Sequence, residues 1–410
     1  METITILHNK RIVLGVTGSI AVYKAVDLAS KLTQAGALVD VIMTAAAEQF
    51  VTPLSFQAVT GRPVYTSMWA AGDSGLPTHI AHVGLGEGAD LLVIAPATAN
   101  TLAKLAHGLA DDLLSVTALA ARCPLVIAPA MDGGMYIHPA TQANLSTLQE
   151  RGAWLVEPEE GRFASGLVGK GRLPETPTLI GQIRRTLGRH GVLAGRRVVI
   201  TAGGTHEAID PVRYVTNRSS GKQGYALAQA ALDAGASVTL VSTVHELPVP
   251  VGAELIAVDS AARMLEAVLA HSEGADALVM AAAVADFRPA TVAEQKIKKQ
   301  DDTAGLRLEL ERTADILLSV KEKRKKTGWP QVVVGFAAES ENLLANARAK
   351  LERKGLDLLV ANDITATDAG FSVDTNRVTI LSADGGQEPL ALSSKARVSE
   401  IILKRVAGLL

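Results

Sequence analysis

Two Rossmann-like, doubly wound α/β domains are what this 410-residue sequence predicts, and three observations predict them. The chain is longer than one hydrophobic core ordinarily serves. Short apolar strands alternate with helical stretches, which implies parallel sheets covered by helices on both faces. The same opening, an apolar strand, a glycine turn and a helix, occurs twice, at Arg11 and again at Arg196.

Taken in order, Arg11–Val16 reads as the first strand, and a Gly/Ser/Thr turn leads to a helix from Ile20 to Gln34. Ala35-Gly-Ala37 stops that helix and Leu38–Met43 is the next strand. Further strands are expected at Leu91–Ala95 and Pro124–Ala128, with helices over Thr98–His107, Leu113–Ala121 and Ala140–Arg151. Glu157–Pro177 is rich in Gly, Pro and charge and has no periodicity, so it reads as a loop or linker, with a helix over Leu179–Arg189 after it. The boundary is placed near 190–195, giving domains 1–190 and 191–410. The second domain begins with a strand at Arg196–Thr201, then a helix over Gly224–Asp233 and strands at Ser237–Val241, Asp276–Ala283, Gln331–Ala337, Asp357–Ala361 and Asn376–Leu381. A helix over Ser394–Leu409 closes it. The two glycine loops differ in chemistry, which favours shared architecture over recent duplication.

Bulk properties exclude several classes. Hydrophobic residues make up 48% of the chain, yet no apolar run is long enough to span a bilayer. The opening METITILHNKR lacks the order of a signal peptide, so a cytoplasmic location is expected. With 40 basic and 42 acidic residues and 3% aromatics, neither a nucleic-acid surface nor a base-stacking platform is expected. The one cysteine, Cys123, rules out an intramolecular disulfide and a cysteine-rich zinc site, and no dedicated metal site is predicted. The loop Gly15-Val-Thr-Gly-Ser-Ile20 is not GxGxxG, and the second strands end in Met43-Thr44 and Ser242-Thr243 without an acid for a ribose diol. Both halves therefore argue against an NAD site.

Longer strings are more specific. GVTGSIAVYK (Gly15 to Lys24), HVGLGEGAD from His82, APATANTLAKLAHGLADDLLS (Ala95 to Ser115) and PAMDGGMY (Pro129 to Tyr136) together resemble the flavin-dependent cysteine decarboxylases, in a flavodoxin-like domain. The resemblance implies non-covalent FMN, with Thr17, Gly18, Ser19 and Thr44 near its phosphate and Thr98 and Asn100 near the rest of the flavin. Spacing to Ala89-Asp90 matches His82, rather than His79, to the family's active-site histidine, a base or charge stabiliser near the substrate thiol.

In the second half, TAGGTHEAIDPVRYVTNRSSGKQG (Thr201 to Gly224), AAAVADFRPATVAEQKIKKQ (Ala281 to Gln300), TADIL (Thr313 to Leu317), GFAAE (Gly335 to Glu339) and AND (Ala361 to Asp363) resemble the bacterial, CTP-using phosphopantothenate–cysteine ligases. The fused order resembles the bifunctional enzymes of coenzyme A biosynthesis. The resemblance implies that the carboxylate of 4′-phosphopantothenate attacks CTP, giving an acyl-cytidylate and pyrophosphate. Cysteine then displaces CMP, and the flavin domain decarboxylates the product to 4′-phosphopantetheine. Lys296 matches an essential lysine facing the phosphates, and Asn217 matches the asparagine that contacts the acyl intermediate. Arg213 lies one helical turn before Asn217 if that stretch is helical. Ala282, Asp286, Ala314, Asp315, Ile316, Leu317 and Phe336 match nucleotide- or substrate-binding positions. Lys350 and Lys354 share a helix face suited to a triphosphate, and Mg²⁺ is expected with CTP rather than in a protein cage. Lys321 to Lys326 reads as solvated helix surface.

Two positions depart from the decarboxylase pattern. Asp132 stands where the family has an asparagine that binds the substrate carboxylate, and Ser165 where many members have a flap cysteine that donates a proton. A serine hydroxyl is a far weaker acid than a thiol, so Tyr136 and Lys170 are alternative donors. A ligase-only enzyme with a structural or impaired flavin domain is the competing reading. By resemblance, flavin domains of this kind form trimers and ligase domains dimers, so a fused chain would build a closed homo-oligomer such as a dodecamer.

Overall fold

The computed structural model describes residues 3–69, 80–298, 306–339, 343–363 and 373–410. His79, Lys299 and Gln300 lie outside the described residues. The chain forms two compact units, Met1–Leu187 and Gly188–Leu410.

The first unit is built on β1 (Arg11–Val16), β2 (Leu38–Met43), β3 (Val64–Tyr65), β4 (Leu91–Ala97), β5 (Leu125–Pro129) and β6 (Trp154–Leu155). They form a parallel sheet in the order β3-β2-β1-β4-β5-β6. Period-two alternation splits β1 between two cores. Ile12, Leu14 and Val16 face α1 (Val22–Gln34), α3 (Pro53–Thr60) and the core around Leu28, Leu32 and Phe56. Val13 faces the opposite core, with Leu85, Leu102, Leu113 and Leu145. Those leucines come from α4 (Ala81–Glu87), α5 (Ala99–His107), α6 (Leu113–Ala120) and α8 (Pro139–Glu150). The short α2 (Ala45–Glu48) follows β2, and α7 (Gly133–Tyr136) follows β5.

The segment expected to be a loop is more ordered. It holds an antiparallel hairpin, β7 (Glu159–Arg162) with β8 (Val168–Arg172), and the start of α9 (Thr176–Gly188). Main-chain pairing needs no hydrophobic period, and apart from Val168 the two strands hold only charged residues and glycine, so no alternation marked the hairpin.

The second unit has β9 (Arg197–Ala202), β12 (Ser237–Ser242), β13 (Ala253–Ala257), β14 (Ala277–Met280), β17 (Val332–Glu339), β18 (Leu358–Asp363), β20 (Val378–Ser382) and β21 (Gln387–Pro389). Their order is β13-β12-β9-β14-β17-β18-β20-β21, with β20 antiparallel to both its neighbours, so that β21 again runs with the main set. α10 (Lys222–Asp233) and α14 (Lys395–Leu409) cover one face. α11 (Ala261–His271), α12 (Ile316–Thr327) and α13 (Leu343–Lys354) cover the other. Short antiparallel pairs stand apart: β10 (His206–Ala208) with β11 (Tyr214–Thr216), β15 (Phe287–Pro289) with β16 (Leu310–Arg312), and β19 (Thr375–Asn376) with β22 (Ser393–Ser394). The expected strand over Asp276–Ala283 ends at Met280 because the next N–H groups turn away. Ala282 donates to Thr201 Oγ1 at 3.0 Å and Ala283 to the Gly203 carbonyl at 2.8 Å. The helix considered for Arg213–Asn217 is instead the tip and second strand of a hairpin.

In both sheets the first strand sits between the second and the fourth, so the crossovers run in opposite directions on either side of it. Ligand sites in open α/β sheets form at that switch point, beyond the carboxyl ends of the strands.

Candidate active sites

In the second unit a cavity of about 440 Å³ opens at this switch point. Its floor is the backbone of 281–284, diverted from β14 as described. Asn217 crosses it, its amide donating to the carbonyls of Ala283 (3.3 Å) and Val284 (3.1 Å). One wall is the start of α12 with Ala314, Asp315, Ile316 and Leu317, joined by Phe336 from β17. Lys350 and Lys354 from α13 line the same side, and Lys354 pairs with Asp315 at 3.1 Å. Ala282 and Asp286 also line the cavity, so ten of the twelve positions expected in this half meet in one place.

The opposite wall is the N-terminus of α10. Its N-cap is Gly221, with φ 74°, and no side chain caps it. The first backbone N–H groups of a helix have no intrahelical partner, and left uncapped they form an anion site. Gly224 lets this end approach the sheet: a Cβ there would lie 2.5 Å from the Ala202 Cβ and 2.7 Å from the Thr201 carbonyl oxygen.

Lys296 and Arg213 are the two that do not line the cavity. Lys296 is exposed on the segment after β15. Arg213 sits at the tip of the β10–β11 hairpin, paired with Asp210 and donating to the Ile297 carbonyl at 2.9 Å.

In the first unit the flavin candidates gather at the ends of β1, β2 and β4. Thr17 is buried, its hydroxyl donating to the Pro96 carbonyl at 2.7 Å and accepting the Thr98 N–H at 3.0 Å, so it shapes the crevice. Gly18 packs against α2, where a Cβ would lie 2.5 Å from the Ala46 Cβ. Thr44 and Thr98 are the N-caps of α2 and α5, and Asn100 lies in the first turn of α5. Ser19 Oγ accepts the Ala21 N–H at 3.3 Å, and the N-cap of α1, Ala21, brings no side-chain acceptor. Hydroxyls around a helix start without a side-chain cap suit the phosphate of a flavin mononucleotide.

His82 lies in the first turn of α4, and among the described residues no hydrogen bond joins it to another candidate. Asp132 and Ser165, the two departures, meet: Ser165 Oγ donates to Asp132 Oδ2 at 2.6 Å, and Asp132 Oδ1 accepts the Gly134 N–H at 3.1 Å. The Ser165 hydroxyl holds the Asp132 carboxyl below its ordinary range. The hairpin carrying Ser165 is seated by Phe163, whose ring fills the space a side chain on Gly133 or Gly171 would occupy. The alternative donors are tuned the wrong way. Burial pushes the Tyr136 phenol up, and the Glu157 carboxylate, 2.5 Å away, raises Lys170.

Residues 193–410 match the DNA/pantothenate metabolism flavoprotein C-terminal domain family, and residues 2–188 match the Flavoprotein family. The coenzyme A biosynthesis bifunctional protein CoaBC of Bacillus subtilis (strain 168) is 50% identical over 406 residues, spanning 98% of each chain. That of Vibrio vulnificus (strain YJ016) is 45% identical over 404 residues, spanning 98% of this chain and 99% of its own. This chain belongs to the CoaBC family.

Within this CoaBC family member the structure adds residues that sequence reasoning passed over. Lys222, Asn362, Asn376 and Lys395 line the second-unit cavity. Lys395 opens α14, is 5% exposed and donates to the Val373 carbonyl at 2.6 Å; burial and the neighbouring Lys222 lower its pKa. Asn362, next to last in β18, has a buried Oδ1 with no hydrogen-bond partner among the described residues. Lys395 opens a helix outside every matched string and reads as solvated surface, whereas Lys222 and Asn362 lie inside the strings Thr201–Gly224 and Ala361–Asp363, a signal that could have found them. Lys24 also belongs to a matched motif, yet it ties α1 to the chain after β8. It donates to the Leu173 carbonyl at 2.8 Å and to Glu175 at 2.7 Å.

Proposed function

We propose that the chain carries out two steps of coenzyme A biosynthesis. Its second unit is a phosphopantothenate–cysteine ligase using CTP and Mg²⁺, and its first an FMN-dependent phosphopantothenoylcysteine decarboxylase. The observation that carries the ligase reading is the cavity where the uncapped start of α10 faces Lys350 and Lys354 across the floor at 281–284.

There the helix N–H groups and the two lysines bind the triphosphate, and Phe336 flanks the base. Asn217, fixed on two carbonyls, orients the phosphopantothenate carboxylate towards the α-phosphate. Attack expels pyrophosphate and leaves an acyl-cytidylate. The cysteine amine then attacks the acyl carbon and forms the amide bond, and CMP departs with the electrons of the acyl C–O bond. Negative charge grows in both steps, and fixed cations and N–H dipoles stabilise it. Lys296 supplies a further cation at the phosphates.

FMN supplies the reversible two-electron oxidation that makes the cysteinyl carboxylate a leaving group. The protein's own part is to bind and to move protons. Ser19, Thr44 and the start of α1 take the phosphate, Thr98 and Asn100 border the flavin, and His82 serves the substrate thiol. Asp132 and Ser165 act as one hydrogen-bonded unit at the place of proton delivery, which supports a working decarboxylase over a ligase-only enzyme. Self-association into a closed particle such as a dodecamer, and a cytoplasmic location, belong to the same proposal.

Incubation with 4′-phosphopantothenate, cysteine, CTP and Mg²⁺, followed by mass spectrometry and flavin absorbance, tests it. The expected products are CMP, phosphopantothenoylcysteine and then 4′-phosphopantetheine. Absence of CMP removes the ligase reading, and accumulation of phosphopantothenoylcysteine removes the decarboxylase reading.

A further inference from the structure

Asp210 lies in the tip between β10 and β11, and its side chain is 0% exposed. A buried carboxylate is costly unless its oxygens are satisfied, and here they are shared among several donors. Oδ1 accepts the N–H groups of Val212 and Arg213, each at 2.9 Å, which sets the turn after Pro211. Oδ2 accepts Arg213 Nε at 3.0 Å and a second guanidinium nitrogen. It also accepts the backbone N–H of Ile297 at 3.1 Å, 87 residues along the chain.

Arg213 completes the contact by donating to the Ile297 carbonyl at 2.9 Å. Both backbone groups of Ile297 are thus held by one ion pair, and the Ala293 N–H reaches the Ile209 carbonyl at 3.0 Å. Ile297 is half-buried, while Lys296 and Lys298 on either side of it are exposed. The grip is on the peptide next to Lys296, and the lysine ammonium itself is left outside it. Charge-assisted bonds of this kind are stronger than neutral ones and fix direction.

We infer that Asp210 is a positioning residue for the ligase reaction: with Arg213 it clamps the Ile297 peptide and thereby sets where Lys296 stands. The inference rests on Lys296 acting at the phosphates, as proposed above. Asp210 touches neither substrate nor cofactor in this scheme, and its effect on turnover runs through the segment it holds.

The test is a double-mutant cycle in the full chain, with CMP release as the rate and hydrogen exchange at 293–298 as the structural readout. Asp210→Asn keeps an acceptor but removes the charge. It is expected to lower kcat about tenfold, to leave KM for CTP within about twofold, and to speed exchange of the Ile297 amide while the strands of the sheet are unchanged. In a Lys296→Ala background the same change is expected to cost nothing further. Asp210→Glu, which keeps the charge, is expected to restore part of the rate.

A wild-type rate or unchanged Ile297 exchange in Asp210→Asn overturns the inference, as does a loss that adds fully to that of Lys296→Ala. Full activity in Lys296→Ala overturns the role of Lys296 instead, and the exchange data still decide whether the clamp exists. Should Asp210→Asn fail to fold, Ile297→Pro removes the donated N–H and leaves the carboxylate in place, with the same loss of rate expected and an unchanged rate overturning the clamp.

Discussion

Asp90 receives the Arg11 N–H at 2.8 Å and the Lys10 ammonium at 2.7 Å, pinning the start of β1 to the strand beside it. In the second unit Asp276 does the same for β9, taking the Arg197 N–H at 2.8 Å and the Arg196 guanidinium at 2.7 Å. The far ends match as well. Thr17 accepts the Thr98 N–H and Thr201 accepts the Ala282 N–H, each at 3.0 Å, tying the first strand to the turn after the fourth. Only beyond these ties do the units part. Both leave the helix after the first strand, α1 or α10, without a side-chain cap, but the first borders its crevice with the threonine N-caps of α2 and α5 and a hairpin, whereas α10 opens on a wide cavity. Strand geometry is common property, and the loops that finish each site decide which anion and which reaction it serves.

That contrast can be broken at several points. The largest effect is expected from Lys296→Ala, which should lower kcat for CMP release about 100- to 1,000-fold, as loss of one fixed transition-state partner does. Decarboxylation of supplied phosphopantothenoylcysteine should be untouched; a parallel fall in both rates would mean the units are not functionally separate. Gly224→Ala, where no room exists between α10 and β9, should cost the second unit about 1–3 kcal/mol in urea unfolding. The flavin signal of the first unit should hold its midpoint, and a shift in it would show that the two units unfold together.

A smaller effect is expected at the paired departures. Ser165→Ala and Asp132→Ala should each slow 4′-phosphopantetheine formation about tenfold, and the double variant should be no slower than either alone, because the pair acts as a unit. Additive losses, measured by product mass, would separate their roles. The smallest effect concerns the shared pins. Burial raises the Asp90 carboxyl, but Lys10 and the Arg11 N–H outweigh it and hold it below its usual 3.8. A depressed folded value means the pin contributes in full above that pH and is lost as pH falls through the lower folded value. Asp90→Asn should therefore flatten the loss of first-unit stability between neutral and acid pH, read from urea midpoints; an unchanged slope would remove Asp90 from the acid response.

Much of this was legible in the residues. Leu38–Met43 is read at its observed bounds because a short run, apolar except for Asp40, lies between Ala-Gly-Ala and Thr44 and admits little else. The cavity positions were found because they sit in strings whose order is specific. What stayed hidden was non-local or unpatterned. β7 and β8 carry no apolar alternation, β10 and β11 are three residues each, and Asp210 draws its meaning from a peptide 87 residues away. Lys222 and Lys395 resemble surface lysines until α10 and α14 are placed side by side over the same sheet.

The β7–β8 hairpin has one further consequence. Two strands alone are at best marginally stable in water, and this pair leans on the Phe163 ring seated against Gly133 and Gly171 and on the Ser165–Asp132 bond. Leu167 and Val168, at its turn, are 63% and 76% exposed and add no burial. The docked arrangement therefore has an equilibrium constant to which that ring, that hydroxyl and the Met131 N–H, donating to the Gly171 carbonyl at 3.0 Å, all contribute. The reactivity of Ser165 is a product of two factors: its chemistry when docked, and the fraction of time the hairpin spends there.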